Sequence, residues 1–193
     1  MLQNHLKSKK LILASGSPRR QELLKHLRVP FEIRIKPIEE IYADTLQREE
    51  ITDFLAQLKA SAYKADLTDS CILITSDTIV WFKNRVLGKP KSLKQAAYML
   101  KRLSGSTHEV ITSVCLSSTK KQITFNAKTY VTFRKLKAVE IEFYIKNYNP
   151  LDKAGAYGIQ DWIGQIGIQK IHGCYFNVMG FPLNLVYSHL VKF

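Results

Sequence analysis

The stretch Ser15–Arg20, which reads SGSPRR, combines residue types that suit the binding of an anion. Ser17 is a favourable N-cap residue and Pro18 fits the first helical position, so we expect a helix to begin here. The backbone amides and the dipole at a helix N-terminus attract negative charge. Arg19 and Arg20 add guanidinium groups that can hold phosphate oxygens through paired hydrogen bonds. The stretch therefore favours an anion site, with a capped helix and surface arginines as the competing interpretation.

A carboxylate follows the apolar run Cys71–Thr75, at Asp77 in the sequence SDT. We expect this run to form a central strand that ends just before the aspartate. In open α/β sheets ligands bind at the carboxyl ends of strands, where a carboxylate can bind Mg²⁺ or take a proton from water. Aspartate is also common in ordinary turns, so a turn residue is the alternative interpretation.

Two later stretches carry groups that suit a phosphorylated, planar ligand. Lys89 lies in the tripeptide Gly88–Pro90, where its compact charge suits phosphate, although a solvated turn lysine would look the same. The tract Lys153–Asp161, which reads KAGAYGIQD, places glycines beside Tyr157 and Gln160. Its backbone could bend closely around a planar ligand, and the Gln160 amide could offer a donor and an acceptor to a base edge. A packing role for the glycines is the alternative.

The elements that must position these residues alternate between strand and helix patterns. Apolar alternation and short apolar runs predict strands at 11–14, 31–35, 71–75, 79–82 with 86–87, 110–116 and 122–133. Helical spacing and end signals predict helices at 21–27, 47–65, 93–103, 139–147 and from about 182 to the C-terminus. Ser92 should cap the third of these helices. The mixture of hairpins and strand–helix crossovers predicts an α/β (mixed α+β) domain around a mixed sheet.

The composition is that of an ordinary folded globule, with 193 residues of which 46% are apolar and 23% charged. One domain over residues 1–193 is expected. The sequence has neither an apolar run of about 18 residues nor a secretory leader pattern, so we expect a cytoplasmic protein with no membrane partner. Cys71, Cys115 and Cys174 are far apart in the sequence and should be reduced core residues.

The net charge of +13 is the unusual total, and it invites a nucleic-acid interpretation. The basic residues are dispersed, however, and no nucleic-acid-binding motif is present. We therefore expect no nucleic-acid partner and interpret the charge as a field that attracts anions. His108 stands beside the start of a predicted strand, where a structural hydrogen-bond partner is more common than a catalytic acid.

The motifs between Leu11 and Leu190 occur in the order SGSPRR, SDT, GKP, SGSTHEVIT, KAGAYGIQD and GCYFNVMGFPL. As an ordered set they resemble the Maf family, the septum-formation inhibitor-like nucleoside triphosphate pyrophosphatases. The resemblance implies a two-lobed, Maf/ITPase-like single domain around an elongated mixed sheet, with an active-site cleft between the lobes. It also implies a homodimer that uses a divalent cation, Mg²⁺ or Mn²⁺, to hydrolyse nucleoside triphosphates to the monophosphate and pyrophosphate.

The resemblance also assigns roles to individual residues. It makes Asp77 the catalytic base and a metal ligand, and the pair before the long helix makes Glu40 a second metal ligand. The residues implied to bind substrate are Ser15, Arg19, Arg20, Lys59, Thr78, Lys89 and Gln160. The KAGAYGIQ stretch is typical of the subfamily acting on dTTP and UTP, so canonical or modified pyrimidine nucleotides and a role in cleaning the nucleotide pool are expected. Arg19, Thr78 and Gln160 are the expected specificity positions.

Three residues depart from the family pattern. Ser76 replaces the commoner alanine, Glu39 replaces aspartate, and Asp161 follows Gln160 where glycine is frequent, which could alter the bend beside a base pocket. Two other functions stay open at this point. One is a nucleotide-sensing regulator of cell division without turnover, and the other is a basic nucleic-acid-binding domain that would be indifferent to Asp77.

Overall fold

The computed structural model describes residues 2–193, which form a seven-stranded mixed sheet with helices packed against it. The strands are β1 (Lys10–Leu13), β2 (Phe31–Ile33), β3 (Cys71–Phe82), β4 (Arg85–Leu87), β5 (Thr107–Ser117), β6 (Gln122–Phe133) and β7 (Ile168–His172). The α-helices are α1 (Leu2–His5), α2 (Pro18–Lys25), α3 (Glu49–Ser61), α4 (Leu93–Leu103), α5 (Ala138–Tyr148), α6 (Trp162–Gly167), α7 (Tyr175–Val178) and α8 (Leu183–Leu190). Single 3₁₀ turns lie at Lys64–Asp66, Pro150–Asp152 and Ala154–Ala156.

The sheet combines parallel and antiparallel pairs. Its strand order is β2-β1-β3-β5-β6-β7, and β4 pairs with β3 outside this path. β1 is parallel to both β2 and β3, whereas β4 is antiparallel to β3 and β7 is antiparallel to β6. β1 and β2 are joined through α2, β3 and β4 form a hairpin, and β6 and β7 are joined through α5 and α6. The predicted mixed α/β class is therefore confirmed.

The chain divides into two compact units. The first unit contains the residues up to Asp77 together with Thr112–Ala127 and Gly180–Phe193, and the second contains Thr78–Ile111 and Lys128–Met179. In the first unit, buried side chains of α3 pack with those of the sheet, and this core comprises Ile12, Ala56, Ala60, Tyr63, Cys71, Leu73 and Cys115. In the second unit, a separate apolar core includes Phe82, Leu100, Phe133, Tyr144 and Tyr157. Each unit therefore has its own apolar core.

Helix α4 follows the predicted pattern at both ends. The Ser92 hydroxyl accepts a hydrogen bond from the backbone N–H of Gln95 at 3.1 Å, which satisfies one of the unpaired amides of the first turn. Gly105, just beyond the helix, has a φ of +67°, a conformation that glycine adopts without strain. The buried face of α4 consists of Ala96, Met99, Leu100 and Leu103.

The prediction for β3 was wrong in its length. The strand continues to Phe82, so Asp77 lies within it and not at its end. Ser76 and Asp77 resemble a turn in the sequence, but their surroundings in the fold allow polar groups inside a strand. The neighbouring Thr75 hydroxyl, for example, is buried and donates to the carbonyl of Ala56 in α3 at 2.7 Å.

Smaller differences concern the short elements and the cysteines. The sequence patterns missed α1, α6, α7 and β7, and the helix expected to run to Leu27 ends at Lys25. Cys71 and Cys115 are buried as expected, whereas Cys174 is partly exposed, and none of these three residues is in a disulfide. Within residues 2–193 no helix combines the length and the apolar character needed to cross a bilayer.

Candidate active site

A single ammonium group lies between two carboxylates in the first unit. Lys59 Nζ is 2.6 Å from Asp77 Oδ1 and 2.8 Å from Glu40 Oε1. The Asp77 side chain is 10% exposed, whereas that of Glu40 is 50% exposed. The Lys59 pair with Asp77 is therefore mostly shielded from water, and the pair with Glu40 lies at the surface. This arrangement joins three of the residues that the sequence assigned to the site.

Three segments far apart in the chain place this group. Lys59 is in the last turn of α3, Asp77 lies within β3, and Glu40 precedes α3 in a stretch without helix or strand. The α3 helix is held on the sheet by its buried apolar face and by the hydrogen bond from Thr75 to Ala56. The packing of α3 therefore fixes the position of the lysine.

Arg20 ties the start of α2 to β3. Its Nη1 donates to the Ser76 carbonyl at 2.8 Å and lies 3.5 Å from the Ser15 hydroxyl, and its Nε donates to the Gly180 carbonyl at 2.9 Å. Burial lowers the pKa of the Arg20 guanidinium, while the charge of Asp77 acts in the opposite direction. The group still carries its charge at neutral pH because an arginine begins so far above it. Arg20 thus supplies positive potential beside Asp77 and also fixes the strand that carries it.

The turn before α2 is organised by Ser15 and not by Ser17. The buried Ser15 hydroxyl accepts the backbone N–H of Ser17 at 3.3 Å, and the Ser15 carbonyl accepts from Gln21 Nε2 at 3.1 Å. Ser17 stands at the N-cap position, and Pro18 opens the helix as predicted, but the Ser17 side chain makes no capping hydrogen bond. The predicted N-cap position and helix start are therefore confirmed, and the Ser15 hydroxyl makes the side-chain contact that organises the turn.

In the second unit the GKP loop and the KAGAYGIQ tract are in direct contact. The backbone N–H of Gly155 donates to the carbonyl of Gly88 at 3.1 Å. Gly155 has a φ of +69°, and a Cβ there would lie 3.0 Å from the Val80 side chain, so the position favours glycine on both counts. Lys89 and Gln160 are both exposed. The structure thus brings the Lys89 loop and the Gln160 tract together within this unit.

The predicted site residues therefore fall into two sets. Ser15, Arg20, Glu40, Lys59 and Asp77 meet in the first unit, where the half-buried Arg19 also lies. Thr78 is the next residue of β3 after Asp77, and it belongs to the second unit with Lys89 and Gln160.

Sequence reasoning missed two contributors to the first set. One is the carbonyl of Gly180, which accepts from Arg20 across 160 positions of sequence and so gives no local signal. The other is Tyr42, whose pKa is raised by burial and by the nearby charge of Asp77. Its position two residues after Glu40 was the only hint in the sequence.

The two carboxylates, Asp77 and Glu40, suit a cation that is bound partly by the substrate. They are less suited to a cation that is bound by protein side chains alone. Among residues 2–193 no three His, Cys, Asp or Glu side chains cluster as metal ligands. Asp77 and Glu40 both contact Lys59, so their nearest oxygens are separated by no more than the sum of those two contacts. Mg²⁺ commonly takes one or two carboxylates and completes its shell with water and substrate phosphates. The two carboxylates fit that pattern.

His108 plays the structural part expected of it. Its Nε2 is 2.7 Å from the Tyr157 hydroxyl, and its ring stacks on Phe133 with centroids 5.8 Å apart. Burial lowers the pKa of His108 to about 3, so the imidazole is neutral at physiological pH.

Comparisons with known proteins agree over nearly the whole chain. Residues 10–193 match the sequence profile of a family described as Maf-like protein. A curated dTTP/UTP pyrophosphatase from Flavobacterium psychrophilum is 55% identical over 192 residues, which cover 100% of this chain and 98% of that protein. Proteins of the same name from Flavobacterium johnsoniae and Phocaeicola vulgatus are 52% and 51% identical, and each alignment covers at least 98% of both chains.

Among solved structures, a nucleoside-triphosphatase / dITP/XTP pyrophosphatase from Mycobacterium abscessus superposes with a TM-score of 0.44 at 13% identity. The match covers 66% of this chain and 75% of that one. So distant a likeness supports no assignment of function.

Proposed function

The chain belongs to the Maf-like protein family, and on this premise we propose that it hydrolyses dTTP and UTP to the nucleoside monophosphate and pyrophosphate. Relatives that match it from end to end carry the name dTTP/UTP pyrophosphatase. The structural observation that carries the proposal is the Lys59 ammonium held between Asp77 and Glu40, with the Arg20 guanidinium nearby. A polyanion and its counter-cation need this combination of charges.

The positive groups would bind the triphosphate. Lys59, Arg19 and Arg20 supply positive charge near Asp77, and the N-terminus of α2 adds the positive end of its dipole. Between Asp77 and Glu109 the chain has seven Lys or Arg residues and no acidic residue, so the stretch of sequence that contains Lys89 is strongly basic. Much of the net charge of +13 therefore lies in a stretch that includes Lys89, a residue expected to bind substrate. Such a field attracts polyanions before they bind.

Asp77 would take the proton from the attacking water. In the structure its Oδ1 is occupied by Lys59 at 2.6 Å. We propose that phosphate oxygens of the substrate compete for the Lys59 ammonium, which would free the carboxylate to accept a proton. Water then attacks phosphorus in line, the bond between the α- and β-phosphoryl groups breaks, and pyrophosphate leaves with the electron pair of that bond.

A divalent cation, Mg²⁺ or Mn²⁺, is part of this proposal. Asp77 and Glu40 are the side chains that would hold it together with substrate oxygens. When bound, the cation would neutralise charge that develops on the phosphoryl oxygens. Lys59 would have to give way to it, because the ammonium stands between the same two carboxylates.

The alternatives make different predictions. A nucleotide sensor would bind dTTP or UTP without turnover, and a nucleic-acid-binding domain would be indifferent to Asp77. The names of the full-length relatives favour neither alternative. We also propose a homodimer in the cytoplasm, where free nucleoside triphosphates are used. Light scattering and cell fractionation test these two points.

Product analysis tests the proposed reaction. The enzyme is incubated with Mg²⁺ and dTTP, UTP, CTP, GTP or 7-methyl-GTP, and the products are separated by ion-exchange chromatography. We expect dTMP and UMP with pyrophosphate from the first two nucleotides. Nucleoside diphosphate with free phosphate would refute the bond assignment, and intact nucleotide in every reaction would favour the sensor.

A further inference from the structure

The exposed Gln160 stands in a tight turn whose two ends are tied to one buried hydroxyl. The backbone N–H of Asp161 donates to the carbonyl of Gly158 at 3.1 Å, which closes a four-residue turn with Ile159 and Gln160 at its centre. Ile159 is buried, so the turn is anchored on one side while Gln160 faces outward. The base-recognition role expected of Gln160 therefore depends on how firmly this turn is held.

The Tyr144 hydroxyl joins the two ends of the turn. It donates to Asp161 Oδ2 at 2.6 Å and accepts the backbone N–H of Gly158 at 3.3 Å. Tyr144 comes from α5 and its side chain is fully buried. Burial and the bond to Asp161 raise its pKa, so the hydroxyl stays protonated and remains a donor. The turn is thus fastened to a rigid helix through one oxygen atom.

The Asp161 carboxylate accepts the hydrogen bond from Tyr144 and does not cap its own helix, α6. Asp161 occupies the N-cap position of α6, where an aspartate ordinarily accepts a backbone N–H of the first turn, but its side chain makes no such bond. It contacts Tyr144 instead, and Lys153 Nζ lies 3.8 Å from the same Oδ2 atom. Lys153 is 13% exposed and opens the same tract, so the carboxylate also links the beginning of the tract to its end.

Gly158 completes the fit. A Cβ at this position would lie 2.6 Å from Asp161 Oδ2, closer than a side chain could approach without moving the carboxylate. The glycine therefore leaves the space that the aspartate needs. Asp161, which departs from the expected family pattern, thus has a defined contact in the fold.

We propose that Tyr144 and Asp161 are positioning residues that hold Gln160 in place to read the pyrimidine base, an inference that rests on the proposed function. An amide recognises a base edge only when its donor and acceptor meet complementary groups at hydrogen-bond distance. A displacement of about 1 Å in a positioning element can lower catalytic efficiency by up to about a hundredfold. The buried tyrosine supplies the rigidity that an exposed turn lacks.

Steady-state kinetics of Tyr144→Phe test the inference. The variant keeps the ring and loses the hydroxyl, so we expect kcat/KM for dTTP and UTP to fall about tenfold, chiefly through KM, and the preference over CTP to narrow. Tyr148→Phe is the matched control, because it removes a hydroxyl from the adjacent, partly exposed ring stacked on Tyr144, and it should leave both quantities unchanged. Asp161→Asn keeps an oxygen acceptor and should retain more of the preference than Asp161→Ala.

The outcomes separate this inference from the proposed function. If Gln160→Ala lowers the preference while Tyr144→Phe keeps wild-type KM and preference, the positioning role is refuted and the proposed function stands. The positioning role is also refuted if Gln160→Ala has no effect on the preference. If the wild type hydrolyses neither dTTP nor UTP, the proposed function fails and the inference fails with it. Thermal unfolding of each variant shows whether a kinetic change accompanies a loss of folded protein.

Discussion

Replacing Lys59 with methionine is expected to destabilise the folded protein by about 3 kcal/mol near pH 7. The substitution keeps most of the side-chain length and removes the ammonium that lies 2.6 Å from Asp77 and 2.8 Å from Glu40. Asp77 would be left as a nearly buried carboxylate without the cation that contacts it directly, although the charge of Arg20 would remain nearby. Removing one partner of a buried pair typically costs about 3–5 kcal/mol, and we take the lower end because Lys59 is still 14% exposed. Glu40 is half exposed and adds at most about 1 kcal/mol.

Urea denaturation of the wild type and of two variants measures this effect. Lys25→Met is the matched control, because Lys25 pairs with Glu22 in the same unit and the two side chains are 63% and 62% exposed. The control should lose no more than about 1 kcal/mol. If Lys59→Met and Lys25→Met lose the same small amount of unfolding free energy, the Lys59 pairs stabilise the protein no more than a surface ion pair does. The electrostatic reasoning about the site would then be refuted.

Three further predictions concern the stability of the folded protein. His108 has a pKa of about 3 when folded and about 6.5 when unfolded, so the unfolded chain binds the extra proton and stability falls as the pH drops below 6.5. Urea unfolding at about pH 5 should show a loss of about 2 kcal/mol relative to neutral pH, and His108→Phe should lack this component. Ser92→Ala removes the hydroxyl that accepts from Gln95 and should lower the free energy of unfolding by about 1 kcal/mol in the same assay. Gly155→Ala should lower the melting temperature, because its φ is +69° and its Cβ would press on Val80, and an unchanged melting temperature would contradict that packing.

The elements with a strong repeating pattern could be predicted from the sequence. The long helix α3 and the capped helix α4 have apolar residues every three or four positions, and β5 and β6 have long β-type runs joined by a polar turn. Such elements can be predicted without knowing what they pack against, because one face of each must be buried in any fold. The helices of four to six residues and β7 have too few residues for such a repeat.

The residues of the candidate site could be predicted from the sequence, but the contacts between them could not. The motifs identify Asp77, Arg20 and Lys59, but the pairing of Lys59 with Asp77 spans 18 positions, and the bond from Arg20 to Ser76 spans 56. These long-range contacts also explain why β3 continues through residues that look like a turn. Buried polar residues can stay in a strand when distant groups satisfy them, and local sequence carries no record of those groups.

The same limit applies around Gln160. The motif identified the tract, and Asp161 was a departure from the family pattern that could alter the backbone bend beside a base pocket. The structure shows a turn closed on itself and held by Tyr144, whose position in α5 looks in the sequence like that of any other core aromatic residue. A side chain that uses its ring for the core and its hydroxyl for a distant turn has no local signature.

The most direct test of the central claim is pyrophosphate release from dTTP and UTP by the wild type and by Asp77→Asn, with nucleotide binding measured in parallel. The amide keeps the shape of the carboxylate but is a poor base, so we predict that turnover disappears while nucleotide still binds. Asp69→Asn, at an exposed carboxylate that contacts Thr119 and Lys120, is the control and should keep full activity. Turnover by Asp77→Asn close to the wild-type rate would contradict the assignment of Asp77 as the base and with it the proposed mechanism.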